Sequence, residues 1–428
     1  MENHRSLRDE QCLTLTAAEG VEHAGVQILE ARGLGHGVLP AAALYGANAS
    51  GKTNVLHALS FMRSAVLQSH RLWEPGGGTP QQPFALNAHA QSPSTFEVDI
   101  WTGGTRHRYG LILSQKRVEE EWLYTVRGTR RQTLFEREGD RFEFGRGFSG
   151  ENETIRGLTR ANSLFLSAAA QNNHAGALPV FSWFERLGVV MRSAVEGPRL
   201  PPGLLASAYF PRARKPAQRW PEEPDPHMRW VHDSLIRLLH AADAGIVDVK
   251  QGDGAGSSTL LFKHRSASGD GGWLPLSAQS AGTITLLDAG LALLGALRAG
   301  GVVLVDELEA SLHPSLALEI LRMFQKKAHN PQSAQLLFTT HDTNLLGNVL
   351  GPSPLRRDQV WFTEKDKDGA THLYPLTDFH PRKEENLERG YLQGRYGAIP
   401  FLGKLGQPGS NPTTGVHRLT EQIRTSVR

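Results

Sequence analysis

"ALYGANASGKTNVLHAL", residues 43–59, carries two glycines separated by four residues and followed at once by Lys52-Thr53. Gly46-Ala47-Asn48-Ala49-Ser50-Gly51-Lys52-Thr53 meets the pattern G-x-x-x-x-G-K-[ST] at every fixed position. Residues 41–45 (AAALY) are short and wholly apolar, which predicts a buried strand. Asn54 to Leu67 places Val55, Leu56, Leu59 and Met62 on one face of a helix. The pattern thus sits where its chemistry needs it, between a strand and a helix start. Glycines let such a loop wrap so that backbone N–H groups point at phosphate oxygens, and the helix adds its positive dipole end. Lys52 is expected to reach the β- and γ-phosphates and Thr53 to ligate Mg²⁺. Gly46, Asn48, Ser50, Gly51, Lys52, Thr53 and Asn54 form the candidate nucleotide-binding set.

Three further stretches complete a site. "GVVLVDELEASLHP" (301–314) is a continuous apolar strand ending in Asp306-Glu307. In an open parallel sheet, ligands bind at the carboxyl ends of strands, so both carboxylates fall at the site. Asp306 is expected to hold Mg²⁺, directly or through water, and Glu307 to act as general base on the attacking water. "QLLFTTHDTNLL" (335–346) runs a second buried strand into His341, placed to donate to a γ-phosphate. "LPLSAQSAGTITLL" (274–287) sets Ser280-x-Gly282 ahead of a helix, a second anion-binding helix start. One nucleotide cannot easily use both helix starts within one subunit. Two copies head to tail, each lending its serine to the other's γ-phosphate, is the economical arrangement.

The remaining chain is organised around these stretches. With 428 residues, 39% hydrophobic and 21% charged, it is globular material for two or three lobes. A net charge of +3 is too mild to argue for nucleic acid. A single cysteine, Cys12, rules out an internal disulfide framework and fits a reducing cytoplasm. "MENHRSLRDEQ" has no apolar core and is not a signal peptide. The most apolar window, 286–305, is interrupted by Asp288 and Arg298 and broken by Gly-Gly. It reads as buried helix, turn and strand rather than a membrane span. Residues 95–145 alternate in short β-type runs, an antiparallel meander. Residues 155–195 read helical. Pro198 to Pro226 holds eight prolines and a basic cluster, Arg212, Arg214, Lys215 and Arg219. It reads as a linker or loop. Helix returns at 228–243, then two strands. "QVWFTEKDKDGATHLYPL" is a hairpin turning at Asp368-Gly369. Four segments follow: an N-terminal ATPase lobe (1–150) with the loop and meander, a helical and Pro-rich insertion or lid (151–245), a C-terminal ATPase lobe (246–401), and a flexible tail (402–428).

With these stretches in order, the chain resembles an ABC-type ATPase head of the SMC/RecF/OLD kind. It is similar to the stand-alone AbiL/RloA-like heads that accompany bacterial phage-exclusion loci. "YGANASGKTN", "PFALN", "RHRYGLIL", "EEWLYTV", "LFLSAAAQNN", "DELEASLHP", "DQVWFTEKDKDG" and "NLERGYLQGRYGAIPF" carry the likeness, from residue 5 to 401. It implies an α/β fold, a P-loop NTPase head with a mixed sheet and antiparallel meander plus a helical lid, without a long coiled coil. Lys52 and Thr53 would be the Walker A pair, Asp306 and Glu307 the Walker B pair, Ser280 and Gly282 the signature. Ser311 to His313 would be the D-loop and His341 the switch histidine, with Gln81 or Gln82 as candidate Q-loop residues. Relatives open with a strand of the kind "LLRFSVEN" before the stretch matched by "HRSLRDEQ". Met1 to His4 begins after it, so the chain starts late or the sheet lacks that strand.

The resemblance implies ATP and Mg²⁺ as cofactors, a homodimer closed through ATP, and a separate nuclease effector of antiphage defence. A RecF-like DNA-binding ATPase is the second reading, resting on Arg212 to Arg219. The third is a nuclease or toxin with its own site in 356–401. Glu364, Asp366 and Asp368 lie there inside a hairpin turn and read as solvated.

Overall fold

The computed structural model describes residues 1–400, apart from 22, 24, 31–34, 87, 192–225, 253–259, 267–271, 311, 349–350 and 383–384. The basic cluster at 212–219, Ser311 of the expected D-loop and the tail from Phe401 therefore lie outside the described residues. In chain order, β1 (Ala41–Gly46) leads into α1 (Lys52–Leu72). A five-strand run follows: β2 (Ser94–Thr102), β3 (Thr105–Leu113), β4 (Val118–Arg127), β5 (Arg130–Glu138) and β6 (Arg141–Phe144). Then come α2 (Asn152–Leu158), α3 (Phe165–Gln171), α4 (Leu178–Glu185) and β7 (Gly188–Val190). Next are α5 (Pro226–Ala242), β8 (Ile246–Gln251), β9 (Leu260–His264) and β10 (Trp273–Pro275). The last part holds α6 (Ala281–Ala299), β11 (Val302–Val305), α7 (Pro314–Gln325), β12 (Gln335–Thr339), β13 (Val360–Lys365), β14 (Thr371–Pro375) and α8 (Leu387–Leu392). Before β1 the described residues make isolated bridges, such as Glu2 with Thr95.

The central sheet has the order β14-β13-β1-β12-β11-β7. Its pairs are parallel except for the β13–β14 hairpin. β1 is buried at every residue, and the strand pleat sends alternate side chains to opposite faces. Ala41, Ala43 and Tyr45 join one core, with α5, α6, α7 and the β8–β10 sheet. Ala42 and Leu44 join the other, with α1, the meander and α2–α4. The β2–β6 sheet is an antiparallel meander in sequence order, as its alternation predicts. Among the described residues one helix, Ala281–Ala299, is long and apolar enough to cross a membrane, and 56% of that window is buried. Leu286, Leu287, Leu293 and Leu294 fix it in the first core.

One expectation is corrected. The helical reading of 155–195 stops at Glu185, and Gly188–Val190 is instead an edge strand paired in parallel with Val303–Val305. Three residues cannot show a period, and it is the ladder offered by β11 that makes them a strand. The segment 151–245 is accordingly shared out: α2–α4 pack with α1, and α5 packs on α6.

Candidate functional site

The loop between β1 and α1 takes its shape from glycine. Gly51, at φ +105°, is the N-cap of α1. A Cβ there would stand 2.1 Å from Thr371 Oγ1 and 2.9 Å from Ser6 Oγ. At Gly46, φ +156°, a Cβ would meet Ser50 Oγ and Thr363 O at 2.6 Å. Only a residue without a side chain fits either place. α1 begins with no side-chain cap and no acidic residue in its first turn, which leaves its positive end to an outside acceptor. Lys52 is buried, and its Nζ donates to Gly46 O at 2.9 Å and Ala47 O at 3.1 Å. Burial lowers the Lys52 pKa, opposed by the charges of Asp306, Glu307 and Glu309. A buried ammonium held by two loop carbonyls and facing carboxylates fits a triphosphate.

Three parallel strand ends meet at this loop. β12 lies between the loop strand β1 and the carboxylate strand β11. Thr53 Oγ1 donates to Asp306 Oδ1 at 2.9 Å, joining two motifs 253 residues apart. Thr339 Oγ1 donates to the same oxygen at 2.7 Å and accepts from Glu307 N at 2.7 Å. Glu307 is left-handed, φ 55°, so the chain turns sharply straight after Asp306. Two residues on, Glu309 Oε1 accepts from His341 N at 2.6 Å. His341 is exposed at the end of β12. Partial burial of its ring and the charge of Lys52 lower its pKa, against the pull of Glu309, Glu307 and Asp306. Lys52, Thr53, Asp306, Glu307 and His341 thus gather at one set of strand ends. A hydroxyl and a carboxylate 2.9 Å apart are hard oxygen donors of the kind Mg²⁺ prefers. Thr339 and Glu309 escaped the sequence reading.

Other expected residues face elsewhere. Asn48 is exposed. Ser50 Oγ is buried against Thr363 Oγ1 at 2.6 Å, and its carbonyl accepts from Thr371 Oγ1. Asn54 Nδ2 donates to Ser6 Oγ at 2.6 Å. The side chains of Ser50 and Asn54 therefore pin the loop, and their amides bond Ala47 O and Gly51 O within it. Ser280 is the N-cap of α6: its Oγ accepts from Thr283 N at 3.0 Å and pairs with Thr283 Oγ1 at 2.8 Å. A Cβ on Gly282 would meet just Ser280 Oγ, at 3.6 Å. Gln81 binds Ser92 and Ser94, and Gln82 takes the Arg5 guanidinium. In the hairpin, Asp366 accepts from its own turn amides and from Arg8.

The C-terminal string closes the back of the loop. Tyr391 stacks on Phe362 and meets Tyr45 edge-on. Burial raises its pKa, against a backbone hydrogen bond from Gly46. Glu388 Oε1 accepts from Thr343 Oγ1 at 3.0 Å, just beyond His341.

A loop of this pattern at the end of a central strand, with an acidic strand two places away, makes the fold that of an ABC-type P-loop ATPase head. The chain belongs to the family described as "AAA domain, putative AbiEii toxin, Type IV TA system", which matches residues 41–347. The SMC head domain from Thermotoga maritima is similar in structure, at 12% identity, over 81% of this chain and 96% of that one, with a TM-score of 0.34. The SmcHead bound to the C-winged helix domain of ScpA is similar at 11% identity, over 78% of this chain and 88% of that one, with a TM-score of 0.38. No curated protein matches the chain.

Proposed function

We propose that the chain is a Mg²⁺-dependent ATP hydrolase whose copies pair head to tail around ATP. We further infer that it works in the cytoplasm as the sensor or regulator of an antiphage, abortive-infection system of the AbiL/RloA-like group, with a separate nuclease as effector. The observation that carries the hydrolase reading is the bond from Thr53 to Asp306. It brings the loop and the acidic strand to one point, with Lys52 alongside. Mg²⁺, when bound, would supply charge neutralisation at the phosphates. Thr53 and Asp306 would hold it, and Lys52 would turn from the loop carbonyls to the phosphates. Glu307 would accept the proton of the attacking water, and His341 would donate to the terminal phosphate. Catalysis is then positioning and charge stabilisation of an in-line attack. Ser280 and Gly282 of a second copy would close over the γ-phosphate. The glycine supports this: a Cβ on it would meet Ser280 Oγ alone, at 3.6 Å, which leaves room for an approaching group. The family description's mention of an AbiEii toxin of a type IV TA system supports the defence role.

Phosphate release from ATP by the purified chain tests the first part. It should require Mg²⁺ and fall about a thousandfold in Lys52→Ala; turnover near the wild-type rate after either removal sinks the hydrolase reading. Plaque counts on cells carrying the intact locus test the second. Equal plating with wild type and Glu307→Gln would overturn the defence role and leave the enzyme standing.

A further inference from the structure

Glu309 has no part in that reading, yet the fold gives it a defined task. The chain leaves β11 through the left-handed Glu307, and Ala310 N closes a turn on Glu307 O at 2.8 Å. Leu308 N reaches back to Thr339 O at 3.0 Å, laying the turn across the end of β12. At that end the ladder stops: Thr340 N still bonds Leu44 O of β1, and the next amide, that of His341, lies past the sheet. Glu309 supplies its acceptor at 2.6 Å. The bond is charge-assisted and joins two loops 32 residues apart. The second oxygen of Glu309 is buried without a hydrogen-bond partner. Leaving a carboxylate oxygen so is costly, which argues that the residue stands there for its other bond.

We propose that Glu309 is a positioning residue for His341. Its carboxylate fixes the main chain at the end of β12, so that the imidazole is presented to the terminal phosphate. Asp342 and Thr343 are held by Tyr45, Thr340 and Glu388, so without Glu309 it is the main chain at His341 itself that gains the freedom to turn the ring. This rests on the assignment of His341 made above and names what holds that residue in place.

The test is a double-mutant cycle in ATP hydrolysis, with equilibrium binding of a fluorescent ATP analogue alongside. Glu309→Ala should lower kcat about tenfold, the size of one such hydrogen bond, with no loss of nucleotide affinity. Glu309→Gln keeps the acceptor and should recover most of the rate. In a His341→Ala chain, Glu309→Ala should cost nothing more. If Glu309→Ala does not fold, Glu309→Asp, one methylene too short to reach, serves in its place. Losses that multiply in the double variant overturn the proposal while leaving the His341 assignment intact. So does a loss confined to affinity, or a Gln variant as slow as the Ala variant. A His341→Ala chain that hydrolyses ATP like wild type overturns both.

Discussion

The strand ends and the start of α6 both offer groups suited to an anion, and they are built in opposite ways. At the strand ends the contributing residues are bonded to one another across the chain. Thr53 and Thr339 meet on Asp306, Thr339 holds Glu307, and Glu309 holds His341. Folding alone finishes that half. At α6 the Ser280 hydroxyl is bonded only within its own first turn, and the residue is exposed. Its support comes from behind, where His264 Nε2 lies 2.9 Å from Gln279 Oε1 and ties the β8–β10 sheet to the approach. A helix start that is rigidly carried yet open at its tip suits a ligand brought by something else. Pairing of two copies is what would bring it.

The largest expected effect is at the finished half. Lys52→Ala should lower ATP turnover about a thousandfold, the scale for removing a charge that stabilises the transition state. Stability should not fall, because the change removes a cation whose burial is already unfavourable. Glu307→Gln should match that loss of rate and hold an ATP-bound dimer in light scattering; hydrolysis at the wild-type rate would show that another group takes the proton.

The sharpest test mixes the two halves. Ser280→Arg should be inactive because the arginine spoils the one composite site it enters while leaving the pair able to form. Lys52→Ala and Ser280→Arg chains mixed in equal amounts should recover about a quarter of the wild-type rate. Half of the pairs are then mixed, and each has one intact composite site of two. No recovery, with both chains folded, breaks the comparison: the two halves would then serve the same copy or different purposes. Ser280→Ala should cost about 1 kcal/mol of stability as a lost cap, with a smaller loss of rate than the arginine.

Much of this was legible in the sequence, and what was missed has a common cause. Residues 46–53 declare a phosphate loop because glycine spacing is a local property. The run Val302–Val305 declares a buried strand because all four residues are apolar. Thr339 and Glu309 declare nothing. A threonine ending an apolar strand reads as β-propensity, and a glutamate in "DELEA" reads as solvated turn. Their tasks depend on β12 lying beside β11, which chain order does not state. The same holds for Ser50 and Asn54: the pattern puts them in the loop, while their partners, Thr363 and Ser6, sit 313 and 48 residues away. Three-residue β7 is a strand by virtue of its neighbour. Periodicity and motif reach what is decided within about a dozen residues. Side-chain destinations across the sheet are decided by topology.

The smallest expected effect separates the two halves by pH. Behind the phosphate loop, His4 packs on α1 with its Nε2 2.8 Å from His57 Nδ1, against the stacked rings of Phe61 and Phe96. Burial lowers the His4 pKa to about 2, helped by His57 and Arg5. The unfolded chain, with His4 near 6.5, therefore binds more protons than the folded one below that pH. Stability contributed by His4 is present above about pH 6.5 and falls as the solution is acidified. Between pH 7 and 5.5 the loss should be about 1.3 kcal/mol. His4→Gln should remove that share, read as a shallower fall of the urea midpoint over the same range. Hydrogen exchange adds the location: on acidification α1 should lose protection before α6, whose core is that of the other face of the sheet. Equal pH slopes in the two chains would mean that the histidine pair does not set the acid limit of the loop half.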